Sequence, residues 1–338
     1  MPPKVVLSSW VHPEVIALLA SAVEVVLNQE REALPSDELR RRCRDAQGLM
    51  AFMPDRVDEA FLRACPELKV IACALKGYDN FDAAACEQQG VWLTIVPDRL
   101  TLPTAELAIG LMIGLARNIL PGDRRVRSGS FRGWRPVLYG RGLDGSTVGL
   151  IGLGAVGKAV ARRLMGFETT LLYTDRVPLA PHEEGALRLH RVSRDELLRR
   201  SDFVLLGLPL TSETRGLVDA RFLAKLKRGA FLINIARGSL VDESAVAEAL
   251  ESGALGGYAA DVFAFEDWAI EERPAGVHER LLRASDRTLF TPHLGSAVDD
   301  VRRDIALEAA SSLIEALQGR VPTGAVNRPA AARGLGLP

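Results

Sequence analysis

The sequence predicts an α/β protein of two domains, each a parallel sheet with helices on both faces. Short apolar runs alternate with segments at helical spacing along most of the chain, the pattern of doubly covered strands joined by crossover helices. Near the middle, over residues 147–175, a strand, a glycine-rich turn and a helix follow one another without a gap. Length agrees: 338 residues leave room for about two full hydrophobic cores.

Composition narrows the partners. Hydrophobic content of 48% and charged content of 25% are those of an ordinary globular protein. Lys and Arg number 42 against 43 Asp and Glu, so a net charge of −1 offers no footprint for nucleic acid or an anionic membrane. Any anion site must be local.

Residues 4–8 read as a first strand rather than a signal peptide, because no long apolar region opens the chain. Pro13–Ala20 reads as a helix and residues 23–27 as a second strand. Ser36, Asp37 and Glu38 can open a helix, with acids placed favourably in its first turn. Its run of Arg40, Arg41, Arg42 and Arg44 has no interleaved aromatics and reads as a solvated face. Residues 48–53 form a buried strand ending at Met53, residues 61–65 a helix, and residues 68–74 another buried strand entering the loop of Lys76 and Gly77. Ligands bind at the carboxyl ends of such strands, which is where Met53 and Lys76 fall.

Residues 104–118 form an apolar helix long enough to join one domain to the next. Its most apolar part, residues 107–116, is far short of the ~20 residues a membrane span requires. Residues 124–142, with Trp134 and Tyr139, lack periodicity and predict an arm or subunit contact. Cys43, Cys65, Cys73 and Cys86 show no C-x-x-C spacing and read as reduced thiols of a cytoplasmic protein; no metal site is predicted.

The central stretch carries the chemistry. Val148, Leu150 and Ile151 suit a buried strand; Gly152, Gly154 and Gly157 follow; Lys158 onward has helical spacing. One glycine makes the tight turn, one lets backbone approach a pyrophosphate, and one lets the helix pack on the strand. Ala155 and Val156 lie in the same turn, where the N–H groups at the positive end of the helix face an anion. A second apolar run ends at Asp175, about 20 residues beyond the motif, where a ribose hydroxyl is held. The reading is a dinucleotide, with NAD favoured because the Asp175 carboxylate repels a 2′-phosphate. Arg176 beside it keeps NADP open as the weaker alternative. Further strands are expected over residues 203–210, 231–237, 257–263 and 288–293, then a last amphipathic helix, Asp299–Leu317.

After the glycine motif, N-I-A-R-G-S-L-V-D-E (residues 234–243), A-A-D-V-F-A-F-E (259–266) and T-P-H-L-G-S (291–296) resemble the D-2-hydroxyacid dehydrogenase family over nearly the whole chain. The resemblance implies a catalytic arginine at Arg237, glutamate at Glu266 and histidine at His293. It also implies cofactor contacts at Thr104, Leu208, Pro209, Thr214, Ile235, Asp261, His293, Gly295 and Lys76, with Asp261 near the nicotinamide amide. More narrowly, A-F-M-P-D-R-V-D (51–58), A-L-K-G-Y-D-N-F-D (74–82), L-P-T-A-E-L-A-I-G (102–110), F-E-D-W (265–268) and H-L-G-S-A-V (293–298) look like the family's phosphonate dehydrogenase branch, which oxidises phosphite to phosphate with NAD.

Phosphite is largely a dianion at neutral pH and asks for more positive charge than the single arginine fork that clamps a carboxylate. Lys76 and Arg237 supply it, and Arg302 on the last helix adds a third cation; Gly77 and Met53 join them as substrate contacts. Hydride leaves the P–H bond while a water attacks phosphorus, so a base must take the water's proton. His293 suits that role and Glu266 can orient its ring. Trp134 and Tyr139 are expected either to cap the site or to pack at a homodimer interface. The fold expected from all this is a pair of Rossmann-like or flavodoxin-like domains with a cleft between them: residues 1–100 plus 296–330 for substrate and 101–295 for NAD. Two other readings stay open, a D-2-hydroxyacid dehydrogenase or glyoxylate/hydroxypyruvate reductase, and an NAD(H)-sensing corepressor.

Overall fold

A computed structural model describes residues 2–330, 332 and 333. The chain divides into two compact units, Met1–Leu100 with Trp268–Glu271 and Ala297–Pro338, and Thr101–Asp267 with Glu272–Ser296. Trp268–Glu271 groups with the first unit, where Glu271 Oε1 accepts from Arg56 Nη2 at 3.2 Å.

The first unit runs β1 (Lys4–Leu7), α1 (Pro13–Ala20), β2 (Glu24–Val26), α2 (Ser36–Cys43), β3 (Gly48–Ala51), α3 (Glu59–Ala64), β4 (Val70–Cys73), α4 (Ala83–Gln88) and β5 (Trp92–Thr94). Its five strands are parallel in the order β2-β1-β3-β4-β5, the flavodoxin-like order. Side chains alternate between two cores. Val5, Leu7, Met50 and Ala72 pack under α1 and the chain's last helix, while Val6, Leu49, Ile71 and Leu93 pack under α2, α3 and α4. That is why these strands read as unbroken apolar runs. Asp58 and Asp82 start α3 and α4 by accepting from Phe61 N and Ala85 N, each at 2.9 Å.

The second unit runs α5 (Thr101–Ala116), α6 (Ile119–Arg127), β6 (Thr147–Ile151), α7 (Ala155–Leu164), β7 (Thr170–Thr174), α8 (Pro181–Leu187), β8 (Leu189–Arg191), α9 (Arg194–Arg200), β9 (Phe203–Leu206), α10 (Ala220–Ala224), β10 (Ala230–Asn234), α11 (Glu243–Glu251), β11 (Leu255–Ala260), α12 (Glu279–Arg283) and β12 (Thr288–Phe290). α13 (Asp299–Leu317) then returns to the first unit. Seven parallel strands lie in the order β12-β11-β10-β9-β6-β7-β8, the Rossmann arrangement with its reversal at β6 and β9. Val148 and Leu150 face α5 and α7, and Ile151 faces the core of α9, α10 and α11.

Several predicted elements shift. The expected helix over residues 104–118 begins three residues earlier, with Pro103 tolerated in its first turn, and ends before Asn118, whose φ of 54° breaks it. α6 then occupies the start of the stretch expected to be irregular from Arg124. Strands stop short wherever a polar group claims the backbone. Phe52 N donates to Asp55 Oδ2 at 2.7 Å instead of extending β3, and Pro209 and Pro292 lack the N–H a longer strand needs. The basic face of α2 is a surface: Arg41 and Arg42 both bond Glu38, holding its pKa down to about 2. All four cysteines are free and buried. Among the described residues no single helix is long and apolar enough to cross a membrane.

Candidate active site

The glycine turn sits at the switch point of the second sheet. Gly152 adopts φ +90°, and a Cβ there would lie 2.6 Å from Gly207 O on the neighbouring β9 end. Gly157 has no room either, since its Cβ would meet Gly152 O at 2.7 Å, so α7 is drawn close to β6. Gly154, which caps α7, has nothing within 4 Å of a built Cβ and leaves its face open. The tight turn thus falls on Gly152 and the close packing of helix on strand on Gly157. Exposed Ala155 and half-buried Val156 form the first turn of α7, which carries no acidic side chain to compete with a phosphate.

Asp175, just past β7, accepts from Leu153 N at 2.6 Å and from Val177 N at 3.1 Å. These bonds aim it at the glycine turn and use about half of a carboxylate's acceptor sites, leaving the rest for a ribose diol. The Arg176 side chain is 82% exposed and 3.6 Å from Glu213, so it lies in solvent. The residues present fit NAD. On the same rim Thr214 Oγ1 donates to Pro209 O at 2.7 Å, shaping the loop that follows β9 and half-buried Leu208.

The second constellation joins three chain segments. His293 Nδ1 lies 3.0 Å from Glu266 Oε2, both side chains partly buried, at 28% and 21% exposure. Glu266 Oε1 accepts from Phe263 N at 2.8 Å, so the carboxylate is fixed by its own turn and holds the imidazole with its other oxygen. That leaves Nε2 as the working nitrogen and steadies the ring when charged. His293 takes φ +57°, a left-handed conformation uncommon outside glycine, with its N–H bonded to Asp261 O at 2.8 Å.

Asp261 is the post of this loop. Its carboxylate, 1% exposed, accepts from Thr291 Oγ1 and Leu294 N at 2.6 Å each and from Gly295 N at 2.8 Å. Burial nevertheless raises its pKa. Thr104 belongs to the same cluster, because a Cβ on Gly295 would meet Thr104 Oγ1 at 3.1 Å and Asp261 Oδ2 at 3.2 Å.

Arg237 follows β10 in an extended conformation, half-buried, with Nη1 donating to Ala236 O at 2.9 Å. Its backbone is set by two neighbours the sequence reading gave no role. Fully buried Asn234 donates from Nδ2 to Arg237 O at 2.8 Å and accepts from Ala236 N at 3.1 Å. A Cβ on Gly238 would lie 1.8 Å from Phe263 C, so the Arg237 segment is pressed against the turn bearing Glu266. Ile235, 8% exposed, packs in the core shared with α5 and α7. Asn before an arginine at the end of an apolar run was the available sign in the sequence; the contact of Gly238 with Phe263 had none.

Met53, Lys76, Gly77 and Arg302 belong to the first unit. Met53, Lys76 and Gly77 are half-buried, and Met53 O accepts from Asn80 Nδ2 at 2.7 Å. Arg302 on α13 donates from Nη1 to Ala74 O at 3.4 Å, next to the Lys76 loop, and burial lowers its pKa. Trp134 and Tyr139 are 76% and 75% exposed, on an arm whose end is tied by Asn118 Nδ2 to Leu138 O at 3.2 Å.

Residues 109–295 match the profile of the D-isomer specific 2-hydroxyacid dehydrogenase, NAD binding domain. A glyoxylate reductase of Pyrococcus horikoshii is 36% identical over 333 residues, covering 97% of each chain. A solved Polaromonas structure described as a D-isomer specific 2-hydroxyacid dehydrogenase superimposes with a TM-score of 0.87 at 32% identity, covering 97% of this chain and all of that one. A glyoxylate reductase of Paecilomyes thermophila superimposes at 0.82 with 28% identity, over 96% of this chain and 98% of that one. These similarities support the family expected from the motifs. They do not support its phosphite-oxidising branch, and the open alternative of a 2-hydroxyacid dehydrogenase or glyoxylate reductase fits them better. The chain belongs to the D-isomer specific 2-hydroxyacid dehydrogenase family and is an NAD-dependent oxidoreductase of two parallel-sheet α/β domains.

Proposed function

We propose that this chain reduces a small 2-oxo acid, with glyoxylate as the reference substrate, to the corresponding 2-hydroxy acid. The carrying observation is the Glu266–His293 pair at 3.0 Å, supported by the glyoxylate reductases among its relatives. When bound, the nicotinamide supplies the hydride that becomes the new C–H bond at the carbonyl carbon. Protonated His293, held through Nδ1 by Glu266, gives its Nε2 proton to the carbonyl oxygen. Glu266 stabilises the imidazolium before transfer and keeps the ring oriented afterwards. Arg237 is assigned the substrate carboxylate, which a guanidinium grips with two parallel N–H donors. One hydride and one proton are consumed per hydroxyl formed. In the reverse direction His293 accepts the proton.

Asp175 and the Gly152–Gly154–Gly157 turn hold the ribose and pyrophosphate of NAD in this reading, and Asp261 positions the His293 loop. Exposed Phe131, Trp134 and Tyr139 are assigned to contact with a second copy of the chain, since with Val137 and Leu138 they make one run of exposed large apolar side chains rather than scattered single ones. Phosphite oxidation is kept as the second reading for one reason: the first unit carries two half-buried cations, Lys76 and Arg302, beyond the one a carboxylate needs. The test is NADH consumption with glyoxylate or hydroxypyruvate, run beside NADH formation with phosphite and NAD. Turnover of the 2-oxo acids is expected. Turnover of phosphite alone refutes the proposal in favour of the second reading, and NADH binding without any turnover refutes both.

A further inference from the structure

Three loops leave the second sheet at neighbouring strand ends, after β9, β10 and β11, on the side where an open parallel sheet takes its ligand. One residue joins all three through its backbone or its bonding partner. Ser239, two residues past Arg237 in the loop after β10, donates its N–H to Asp267 Oδ2 at 2.6 Å and accepts from Gly216 N at 2.8 Å. Gly216 lies two residues past Thr214 in the loop after β9, and Asp267 comes directly after Glu266 in the loop after β11. A parallel bridge between Val218 and Val241 continues the seam, with Val218 N on Leu240 O and Asp242 N on Val218 O, each at 2.9 Å.

Two carboxylates hold this seam against the turn that bears Glu266. Asp267 is 3% exposed, and a carboxylate accepting from a backbone N–H makes the stronger, charge-assisted kind of hydrogen bond. Glu243, in the first turn of α11, accepts from Ala264 N at 3.3 Å with Oε1 and from His278 N at 2.8 Å with Oε2. The contact of Gly238 with Phe263 limits how near the two segments come, and the carboxylates limit how far apart they move. Glu243 acts at the start of the turn and Asp267 at its end, beside Glu266.

In the 2-oxo acid reading Arg237 and Glu266 serve opposite ends of one substrate. The guanidinium takes the carboxylate, and the Glu266–His293 pair gives a proton to the carbonyl oxygen. In glyoxylate these groups sit on directly bonded carbons, so the substrate cannot stretch to follow a change in spacing. We propose that Asp267 is a positioning residue: through Ser239 N–H it fixes the spacing between the Arg237 segment and the Glu266 turn, so that carboxylate and carbonyl are met at once. Asp267 touches no substrate in this account, which rests on the 2-oxo acid reading.

The test compares the whole protein with Asp267→Ala, Asp267→Asn and Asp267→Glu. Ala removes the acceptor, Asn keeps an oxygen that can face Ser239, and Glu keeps the carboxylate on a chain longer by one methylene. Amide exchange is read at Ser239 for the bond itself, at Phe263, whose N–H goes to Glu266 Oε1, for the catalytic turn, and at Leu150 in β6 for the fold as a whole. In Asp267→Ala the Ser239 and Phe263 amides should exchange at least about tenfold faster while Leu150 does not, and kcat/KM for glyoxylate should fall about tenfold to a hundredfold, the effect of a displacement on the order of 1 Å. Across the three variants kcat/KM should follow Phe263 exchange rather than the charge of the side chain, and a variant in which Ser239 stays protected should remain within about threefold of wild type. Asn and Glu carry the same comparison if Ala does not fold. Fast Ser239 exchange with Phe263 unchanged, or a loss of kcat/KM in a variant whose Phe263 exchange is unchanged, overturns the proposal. Wild-type turnover of glyoxylate with Asp267→Ala equally active removes the positioning role and leaves the function standing. No turnover of any 2-oxo acid by the wild type removes the function, and the positioning role with it.

Discussion

Replacing Asp261 by Asn tests whether this buried side chain holds the His293 loop. The carboxylate accepts three hydrogen bonds, from Thr291, Leu294 and Gly295, and donates none. Asn is nearly isosteric but has one acceptor oxygen. With that oxygen at the Oδ1 position the bonds to Thr291 and Leu294 survive, and the amide NH₂ then faces Gly295 N–H, two donors with no acceptor between them. The flipped amide loses two bonds and is worse. The better rotamer therefore leaves one buried donor unsatisfied, at about 1–3 kcal/mol. The midpoint, about 2 kcal/mol, is roughly a 30-fold shift in favour of the released loop.

Global stability is a poor readout, because burial already disfavours the Asp261 charge and the neutral amide escapes that term, offsetting part of the lost bond. Two local measurements are better. Amide exchange at Leu294 and Gly295 should accelerate by roughly 30-fold. The kcat for glyoxylate should fall by up to the same factor. Unaltered exchange at both amides together with kcat within about twofold of wild type would refute the reasoning.

Three further outcomes are expected. His293→Asn should lower kcat by about 10²- to 10⁴-fold while NADH still binds, as followed by its fluorescence; near-normal turnover would remove His293 as the proton donor. Asp175→Ala should raise NADP use relative to NAD by at least about tenfold, since a 2′-phosphate against this carboxylate is a like-charge contact worth more than ~1.4 kcal/mol. An unchanged cofactor ratio would place Asp175 away from the ribose. Asp55 gives a pH dependence. Burial pushes its pKa from 3.8 up to about 6, so the fold favours the protonated form. Its contribution is fully present below the unfolded value and is lost as pH rises through about 6. That loss is about 3 kcal/mol at 1.36 kcal/mol per unit. Asp55→Asn stays neutral, so its unfolding free energy, followed by urea denaturation from pH 4 to pH 7.5, should lack that decline. Parallel curves for the two proteins would count against it.

Features with a local physical cause were legible in the sequence. The run into Gly152, Gly154 and Gly157 specifies strand, turn and helix because each glycine answers a steric demand within a few residues of itself. The apolar runs specify strands with two covered faces because alternate side chains, such as Val5 and Val6, both need a core. Strand ends were overrun, as at Phe52, because an apolar residue reads the same whether its N–H goes to a neighbouring strand or to Asp55. Motifs resembling a family indicated Arg237, Glu266 and His293, yet one lysine was not enough to choose the substrate.

Tertiary structure decided what depends on groups far apart in sequence. Glu266 and His293 meet because β11 and β12 are adjacent and parallel, and Asp261 becomes a loop post only when Thr291, Leu294 and Gly295 close around it. The strand order places one reversal at Gly152 and another at Ser8 and Phe52. The second gathers Trp10, Arg31 and Arg302 around one cavity. No local pattern ties residue 31 to residue 302, since their proximity follows from the packing of α13 beside α1 over the first sheet. The sequence by itself thus determined the elements and the dinucleotide turn, whose causes are short-range, and the packing decided which charges share a space.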